Sequence, residues 1–345
     1  MLAMAQRCAI IAPMSPVSPL LFIFIATALG FDFLNGFRDS ANIVSTVIAS
    51  RAMGPRRTLL LTAAAEFAGP FLFGVAVATT IGREVVQPHA STIPVVLAAL
   101  LAASSWNLIT WFLGIPSSSS HALVGGLIGA AVLGYGIDAV QIHGLTKVGA
   151  ALLLSPLLGL MGGYLLMKLV LFLAQGASPR INRFFRKAQM FTAVGLALSH
   201  GANGAQKTMG IITMGLLATG VLSQFEVPLW VIAASAGAIA LGTGIGGWRI
   251  IRTLGGKFYK IRPVHGFAAQ VTSAVVILGA ALLGGPVSTT QVVSSAILGV
   301  GSAERLSKVR WGVARNILVA WLLTVPISAL LAALAYLAVR HIMAL

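Results

Sequence analysis

The chain has 345 residues, of which 58% are hydrophobic and only 9% are charged, and its mean hydropathy is +0.95. This composition excludes a soluble globular domain and is typical of an integral membrane protein. The net charge of +16 does not indicate nucleic acid as a partner, because the basic residues lie in short loops between apolar segments. The single cysteine, Cys8, excludes an intramolecular disulfide framework.

The apolar segments predict an all-α polytopic membrane protein. About 20 helical residues suffice to cross the hydrocarbon core, and the alternating pattern of a membrane barrel does not occur. Loop signals divide the chain into ten segments. In chain order these are 20–49, 58–80, 92–113, 116–133, 147–173, 190–218, 229–248, 266–284, 286–300 and 312–339.

The second five segments resemble the first five. In the first half, Pro116 is followed by four serines, then His121, then ALVGG. In the second half, Pro286 is followed by VSTTQ and then by VVSSA. GFRDSAN at 36–42 likewise matches GANGAQK at 201–207. The separation between the first glycine of this motif and the proline of the hydroxyl motif is 80 residues in the first half and 85 in the second. The agreement predicts a duplicated architecture.

We predict two membrane repeats, 20–175 and 190–345, after an N-terminal segment 1–19 and joined by a basic cytoplasmic linker 176–189. If the first segment runs from outside to inside, the cytoplasmic loops hold 16 of the 23 Lys and Arg residues. Because positive charge favours the cytoplasmic side, this orientation is preferred. It places both termini outside the plasma (inner) membrane and gives the repeats inverted topology.

The loops at 114–120 and 284–291 carry no charged residue, unlike the cytoplasmic loops. We therefore expect 92–133 and 266–300 to be re-entrant helical hairpins, one entering from each side, although full crossings would leave the same distribution of charge. Irregular backbone within a membrane is tolerated only where it is buried or lines a cavity. The two tips should therefore meet near the midplane.

Hydroxyl side chains open the second helix of each hairpin. Hydroxyl side chains in membrane helices often only donate a hydrogen bond to a carbonyl of the preceding turn. The hydroxyls in the two hairpins instead follow a proline and lie at a helix N-terminus. That end offers free N–H groups and a positive dipole, which together suit an oxyanion. The predicted anion-binding residues are Ser117, Ser118, Ser119, Ser120, Ser288, Thr289, Thr290, Gln206 and Lys207.

Carboxylates within apolar segments cost at least about 2.5 kcal/mol each and are functional candidates by default. For Asp39 the alternative is an ion pair with Arg38, which we disfavour because adjacent helical residues point in different directions. For Glu66 the alternative to a coupling role is a protonated carboxyl that is hydrogen-bonded between helices. Asp32, two turns before Asp39, suits a pairing or capping role at least as well as coupling.

Amide side chains lie beside Gly36, Gly201 and Gly204, where we expect unwound turns. With one carboxylate they would make a hard-cation site. No triad, P-loop, dinucleotide motif or metal-ligand spacing occurs, so we expect neither an enzyme nor an organic cofactor. The predicted cation-coupling residues are Asp39, Asn35, Asn42, Asn203 and Glu66, with any Na⁺ at Asp39 and Asn42.

The chain resembles the inorganic phosphate transporter (PiT) family of secondary transporters. NGFRDSANIVSTVIASRAM at 35–53 and LSHGANGAQKTMGII at 198–212 are similar to the two family signatures, and PSSSSHALVGG and PVSTTQVVSS to its two hairpin motifs. The resemblance covers nearly the whole chain. It implies inverted repeats, a central anion site at the hairpin tips and symport with Na⁺ or H⁺. The family also has members that carry sulfate.

Three positions depart from the family pattern. Gly204 replaces the aspartate of GAND, Gln291 replaces a common histidine, and Arg38 stands where His or Asn is usual. The loss of the carboxylate at Gly204 and the gain of the Arg38 guanidinium make the centre more positive and put a second cation site in doubt. Gly204 also favours sulfate somewhat, because sulfate only accepts hydrogen bonds whereas monohydrogen phosphate has a proton to donate to a carboxylate.

We therefore expect a cation symporter that imports phosphate, or alternatively sulfate, by alternating access. A channel or a non-transporting scaffold is less favoured. Importing a dianion against 100 mV costs about 4.6 kcal/mol, so at least two positive charges are needed for electroneutral uptake. The expected partners of the protein are the transported anion and the lipid bilayer. Small-residue faces at 122–126 and 159–163 would permit the close packing of a homo-oligomer.

Overall fold

The structure, a computed structural model, describes residues 19–343. Cys8 and the other residues of 1–18, which make up all but the last residue of the predicted N-terminal segment 1–19, lie outside the described residues. The described part is built from α-helices, which confirms the predicted all-α class. The twelve helices are α1 (Pro19–Ala49), α2 (Pro55–Phe73), α3 (Ala76–Thr79), α4 (Ile93–Leu113), α5 (Ser119–Tyr135), α6 (Ile142–Leu173), α7 (Ile181–Ala218), α8 (Leu229–Ile245), α9 (Trp248–Gly256), α10 (Pro263–Leu282), α11 (Thr289–Glu304) and α12 (Trp311–Met343).

Five helices, α1, α4, α6, α10 and α12, are long and apolar enough to cross a membrane. Two helix pairs are apolar enough only when taken together, and both are bent: α2 meets residues 76–84 at 75°, and α8 meets α9 at 69°. The bends follow Gly74 and Gly246, whose φ angles are 79° and 78°. A side chain would be strained at such positive φ, so glycine permits both breaks. α7 begins at Ile181, so much of the predicted linker 176–189 is helical.

α1 runs unbroken through GFRDSAN, and α7 runs unbroken through GANGAQK. The expectation of unwound turns there is wrong. The glycines instead allow helices to approach backbone to backbone. A Cβ at Gly36 would overlap the backbone of Ile239 in α8, and a Cβ at Gly201 would overlap that of Glu66 in α2. The motif glycines are therefore packing residues.

The helices of the two halves pack on each other in matched pairs. α1 packs on α8 as α7 packs on α2, and α5 packs on α12 as α6 packs on α11. The match holds for single residues, because Gly36 and Gly201 make the same kind of contact. A second pair of glycines is matched in the same way. Gly69 lies against the backbone of Leu198 and Ala202, and Gly242 lies against the backbone of Phe33 and Phe37.

The small-residue faces at 122–126 and 159–163 are used within the chain. Each glycine in them lies against the backbone or side chain of another helix. They are therefore not available to pack a homo-oligomer, and that prediction loses its support from these faces. The contacts are Gly125 with Val325, Gly126 with Ala99, Gly159 with Val292, Gly162 with Thr272 and Gly163 with Ala296.

Replacing Gly201 by alanine should destabilise the protein. The new Cβ would meet the backbone of Glu66, and overpacking of this kind costs about 1–3 kcal/mol. Thermal unfolding of the detergent-solubilised protein measures the change. Gly195→Ala on the same helix is the matched control, because nothing lies within 4 Å of its Cβ position. Equal melting temperatures for the two variants would contradict the close packing at Gly201.

Candidate functional site

The tips of the two helical hairpins, α4–α5 and α10–α11, contact each other. Ser120 Oγ in the first tip donates a hydrogen bond to the Val287 carbonyl in the second, at 2.9 Å. Ser118 and Ser288 cap α5 and α11, and each accepts a bond from the amide three residues ahead, at 3.1 and 3.3 Å. The caps fix where both helices start. Two helix N-termini therefore lie side by side.

Asp39 of α1 lies where the two tips converge. Its Oδ2 accepts from Ser119 and Thr289, and its Oδ1 accepts from Thr290, each at 3.4 Å. Asn42, one turn later on α1, donates to the Thr290 hydroxyl at 3.0 Å. All five side chains are buried. The structure thus joins the predicted carboxylate and amide of α1 to hydroxyls from both tips.

Arg38 links Asp39 to the first tip. Its Nη2 lies 3.1 Å from Asp39 Oδ1, while its Nη1 donates to Ser117 Oγ at 2.7 Å and to Asn107 Oδ1 of α4 at 2.8 Å. The expectation that Arg38 and Asp39 would point apart is wrong, because the long arginine side chain reaches back to its neighbour. The sequence interpretation missed Asn107, which no motif marks. Arg38 offsets the charge of Asp39 and anchors the first tip.

His200 of α7 lies between two carboxylates. Its Nδ1 is hydrogen-bonded to Glu66 Oε1, and its Nε2 is 3.8 Å from Asp39 Oδ2. All three side chains are buried. Glu66 therefore reaches the site through His200. Sequence reasoning missed this histidine by looking only for metal-ligand spacing, although an ionisable group beside GANGAQK in an apolar segment was a usable signal.

The second half lacks the counterparts of both carboxylates. Gly204 lies 165 positions after Asp39, as Gly201 does after Gly36, and the matched packing places Ile239 opposite Glu66. The Ile239 Cδ1 atom comes within 2.8 Å of where a Cβ of Gly204 would be. An apolar carbon thus fills this region. A second cation site equivalent to the first has no carboxylate at either position.

Four residues of the predicted anion set are engaged elsewhere. Gln206 accepts from the Val77 amide at 2.7 Å and donates to the Gly74 carbonyl at 2.6 Å, so it stabilises the break between α2 and α3. These bonds occupy both polar atoms of the side chain. Ser117 is bonded to Arg38, and Ser118 and Ser288 are caps. The tip hydroxyls that remain are those of Ser119, Ser120, Thr289 and Thr290.

Several buried polar atoms at the centre have no hydrogen-bond partner within the described residues. Lys207 Nζ is one of them. Asn203 donates to the Gly285 carbonyl at 3.1 Å. Further unpartnered atoms include both polar atoms of Asn35 and the Oδ1 atoms of Asn42 and Asn203. Unpartnered buried oxygen and nitrogen atoms of this kind are suited to bind ions.

Residues 35–332 match the model of the phosphate transporter family. The chain belongs to the phosphate transporter family. It is 46% identical to a probable low-affinity inorganic phosphate transporter of Bacillus subtilis (strain 168), over 92% of this chain and 96% of that protein. A protein of the same description from Rhizobium meliloti (strain 1021) is 45% identical, over 93% and 96%.

A solved structure described as the sodium-dependent phosphate transporter has a similar fold, with a TM-score of 0.84 and 26% identity. The alignment covers 94% of this chain and 99% of that one. These findings confirm the resemblance to phosphate transporters noted in the sequence. They also confirm a multi-pass membrane protein that is a transporter rather than an enzyme.

Replacing Arg38 alone by methionine should strongly destabilise the protein. The change leaves the Asp39 carboxylate buried without its cation, and breaking a buried pair in this way costs about 3–5 kcal/mol. The double variant Arg38→Met with Asp39→Asn should recover much of that loss, because no unpaired charge remains. Thermal unfolding in detergent compares the three proteins. A double variant no more stable than Arg38→Met would contradict the pairing.

Proposed function

We propose that this transporter imports inorganic phosphate by cation symport and alternating access, with the anion held by the hydroxyls of both hairpin tips. One observation carries the proposal: Ser119, Thr289 and Thr290, from two separate hairpins, converge on Asp39. Donor hydroxyls and a carboxylate acceptor from three helices meet at one buried point. Such an arrangement suits a ligand that is both an anion and a hydrogen-bond donor.

The proposed anion ligands are the tip hydroxyls that neither cap a helix nor bond Arg38, the first-turn amides of α5 and α11, and Lys207. First-turn amides have no acceptor within their own helix, and the positive dipole ends favour an anion. Lys207 adds a single full positive charge whose Nζ has no partner. One charge supported by neutral donors can hold the anion and still release it. The tip hydroxyls concerned are Ser119, Ser120, Thr289 and Thr290.

Asp39 gives a physical reason for symport. An anion among these hydroxyls would lie beside its carboxylate. Two like charges about 4 Å apart repel by about 4 kcal/mol at an effective dielectric constant near 20, a repulsion that the charge of Arg38 reduces. A cation at Asp39 removes that repulsion, so the anion and the cation favour each other's binding. The proposed cation ligands are Asp39, Asn42, Asn35 and Asn203, with Glu66 joined through His200.

Phosphate rather than sulfate is the proposed substrate. Monohydrogen phosphate carries a proton, and Asp39 among the tip hydroxyls offers an acceptor for it. Sulfate has no proton to donate and would only meet the negative charge of the carboxylate. The described sodium dependence of the structural neighbour supports Na⁺ at Asp39 and Asn42, with H⁺ as the other candidate.

The matched packing of the two halves supports inverted repeats and alternating access. Reciprocal contacts mean that each half provides a surface for the other, so the halves can exchange roles about a shared centre. The charge count supports the inverted arrangement, with 16 of 23 Lys and Arg residues on one proposed cytoplasmic side. In this arrangement both termini lie outside and each hairpin enters from its own side.

Thr290→Val should weaken phosphate binding about 10- to 100-fold, since a hydrogen bond to a charged group contributes about 1.5–3 kcal/mol. The KM for radiolabelled phosphate uptake into proteoliposomes measures the loss. Thr219→Val is the matched control, because Thr219 is exposed and bonds only its own helix. Excess sulfate should leave uptake unchanged in the wild type. Competitive inhibition by sulfate would contradict phosphate selectivity.

The double variant Arg38→Met with Asp39→Asn should separate coupling from folding. It removes the proposed cation ligand and leaves no unpaired charge. We expect accumulation driven by a Na⁺ or H⁺ gradient to fall at least about tenfold, because Asp39 no longer links the two ions. Uptake is measured at equal protein density in the vesicles. Accumulation at the wild-type level would show that Asp39 is not a coupling group.

A further inference from the structure

An apolar cavity of about 640 Å³ lies between α6, α11 and α12, away from Asp39. We call it the α6–α12 cavity. Four leucines that line it are more than half exposed, and they are Leu153 and Leu157 of α6 and Leu318 and Leu322 of α12. Both helices are long and apolar enough to cross a membrane, so these side chains face hydrocarbon and the cavity opens to the bilayer. A path for phosphate would instead need polar groups along its length.

One end of the cavity is marked by Trp311 and Arg315, which lie one turn apart at the start of α12 and both line it. Both residues are exposed, and no ion pair in the described part of the chain includes Arg315. Tryptophan and arginine near the end of a membrane helix typically lie at the level of the lipid headgroups. Leu318 and Leu322 follow one and two turns deeper, so the cavity runs from the headgroup level into the hydrocarbon.

A second apolar cavity, of about 320 Å³, lies beside the first. The two cavities share Leu160 of α6 and Trp311, and the second is also lined by Leu165 and Leu306. Trp311 therefore stands between two apolar spaces at the same membrane level as Arg315. Two neighbouring spaces beside one cation suit a lipid in which two acyl chains leave a single headgroup.

The charge at this end favours an anionic headgroup. Residues 304–315 contain four basic residues and one acidic residue, Glu304. Glu304 is already paired with Lys308 and His265, so no free carboxylate in this segment can receive the ammonium group of a zwitterionic lipid. A guanidinium such as that of Arg315 binds phosphate oxygens in a bidentate manner. Basic sites of this kind between membrane helices are suited to anionic lipid headgroups.

We propose that the α6–α12 cavity binds an anionic phospholipid, with its phosphate at Arg315, one acyl chain between α6 and α12, and the other chain in the neighbouring cavity. The first chain would also pack on α11, because Ser295 and Leu298 line the same cavity. The bound lipid would therefore support the helix whose first turn carries the hydroxyls of the second hairpin tip. Binding of this lipid does not depend on which ions the protein carries.

Titration of the detergent-solubilised full chain with phosphatidylglycerol or phosphatidylcholine of the same acyl chains tests the headgroup, with bound lipid counted by native mass spectrometry. The wild type should bind one phosphatidylglycerol about tenfold more tightly than phosphatidylcholine. Arg315→Gln should remove most of this preference, because the charged hydrogen bonds to the phosphate are lost. Arg183→Gln is the matched control, since Arg183 is exposed at the start of α7 and lines neither cavity.

Equal affinity of the wild type for the two lipids would overturn the proposal. So would a preference for phosphatidylglycerol that persists in Arg315→Gln. Because the Arg315 side chain is exposed and unpaired, its replacement should leave the melting temperature without added lipid unchanged.

The placement of the acyl chain is tested by Leu318→Trp, which adds a bulky ring at the wall of the cavity. Binding of both lipids should weaken about tenfold, because the ring and the chain compete for the same space. Leu330→Trp is the matched control, since Leu330 is exposed on the same helix and lines neither cavity. Thermal unfolding without added lipid checks that both variants fold. Unchanged lipid binding by Leu318→Trp would overturn the placement.

Two other occupants are distinguished by the same spectra. Glycerol 3-phosphate has the anionic group without acyl chains and should not displace phosphatidylglycerol, so displacement would show a site for a soluble anion and overturn the proposal. A second copy of the chain on this face would give dimers without bound lipid in the wild type and monomers in Leu318→Trp. That result would likewise overturn it.

Discussion

The carboxylate of Asp39 is the group on which the centre depends. It is bonded to hydroxyls of two hairpins and to Arg38, which itself reaches Asn107 in α4. A buried charge is tolerated only when it is paired and hydrogen-bonded. The positions of both tips are therefore linked to the charge state of one side chain on α1. An ion that changes that charge state also changes the forces that hold the tips.

The packing of the two halves is matched, but their chemistry is not. All the buried carboxylates of the centre come from the first half, whereas Lys207 and His200 come from the second. Gly204 and Ile239 replace a carboxylate pair by a small residue and an apolar one. Under the proposed function, the first half supplies the carboxylates that bind the cation, and the second supplies Lys207 for the anion.

Local signals in the sequence predicted the helices and the hydroxyl side chains that open α5 and α11, because a proline and a hydroxyl before a helix act through neighbouring residues. Contacts between distant segments were less predictable. The motif glycines looked like breaks in α1 and α7, yet they are where another backbone approaches. Gln206 looked like an anion ligand, but the bend after α2 takes both its polar atoms. Side-chain partners of this kind depend on tertiary packing, which no local pattern records.

The glycine contacts between the halves also bear on how the protein is made. Gly69 on α2 lies against α7, and Gly36 on α1 lies against α8, so each early helix has its closest partner in the later half. We expect this close packing to form only once α7 and α8 have been made, because each half supplies the surface on which the other packs.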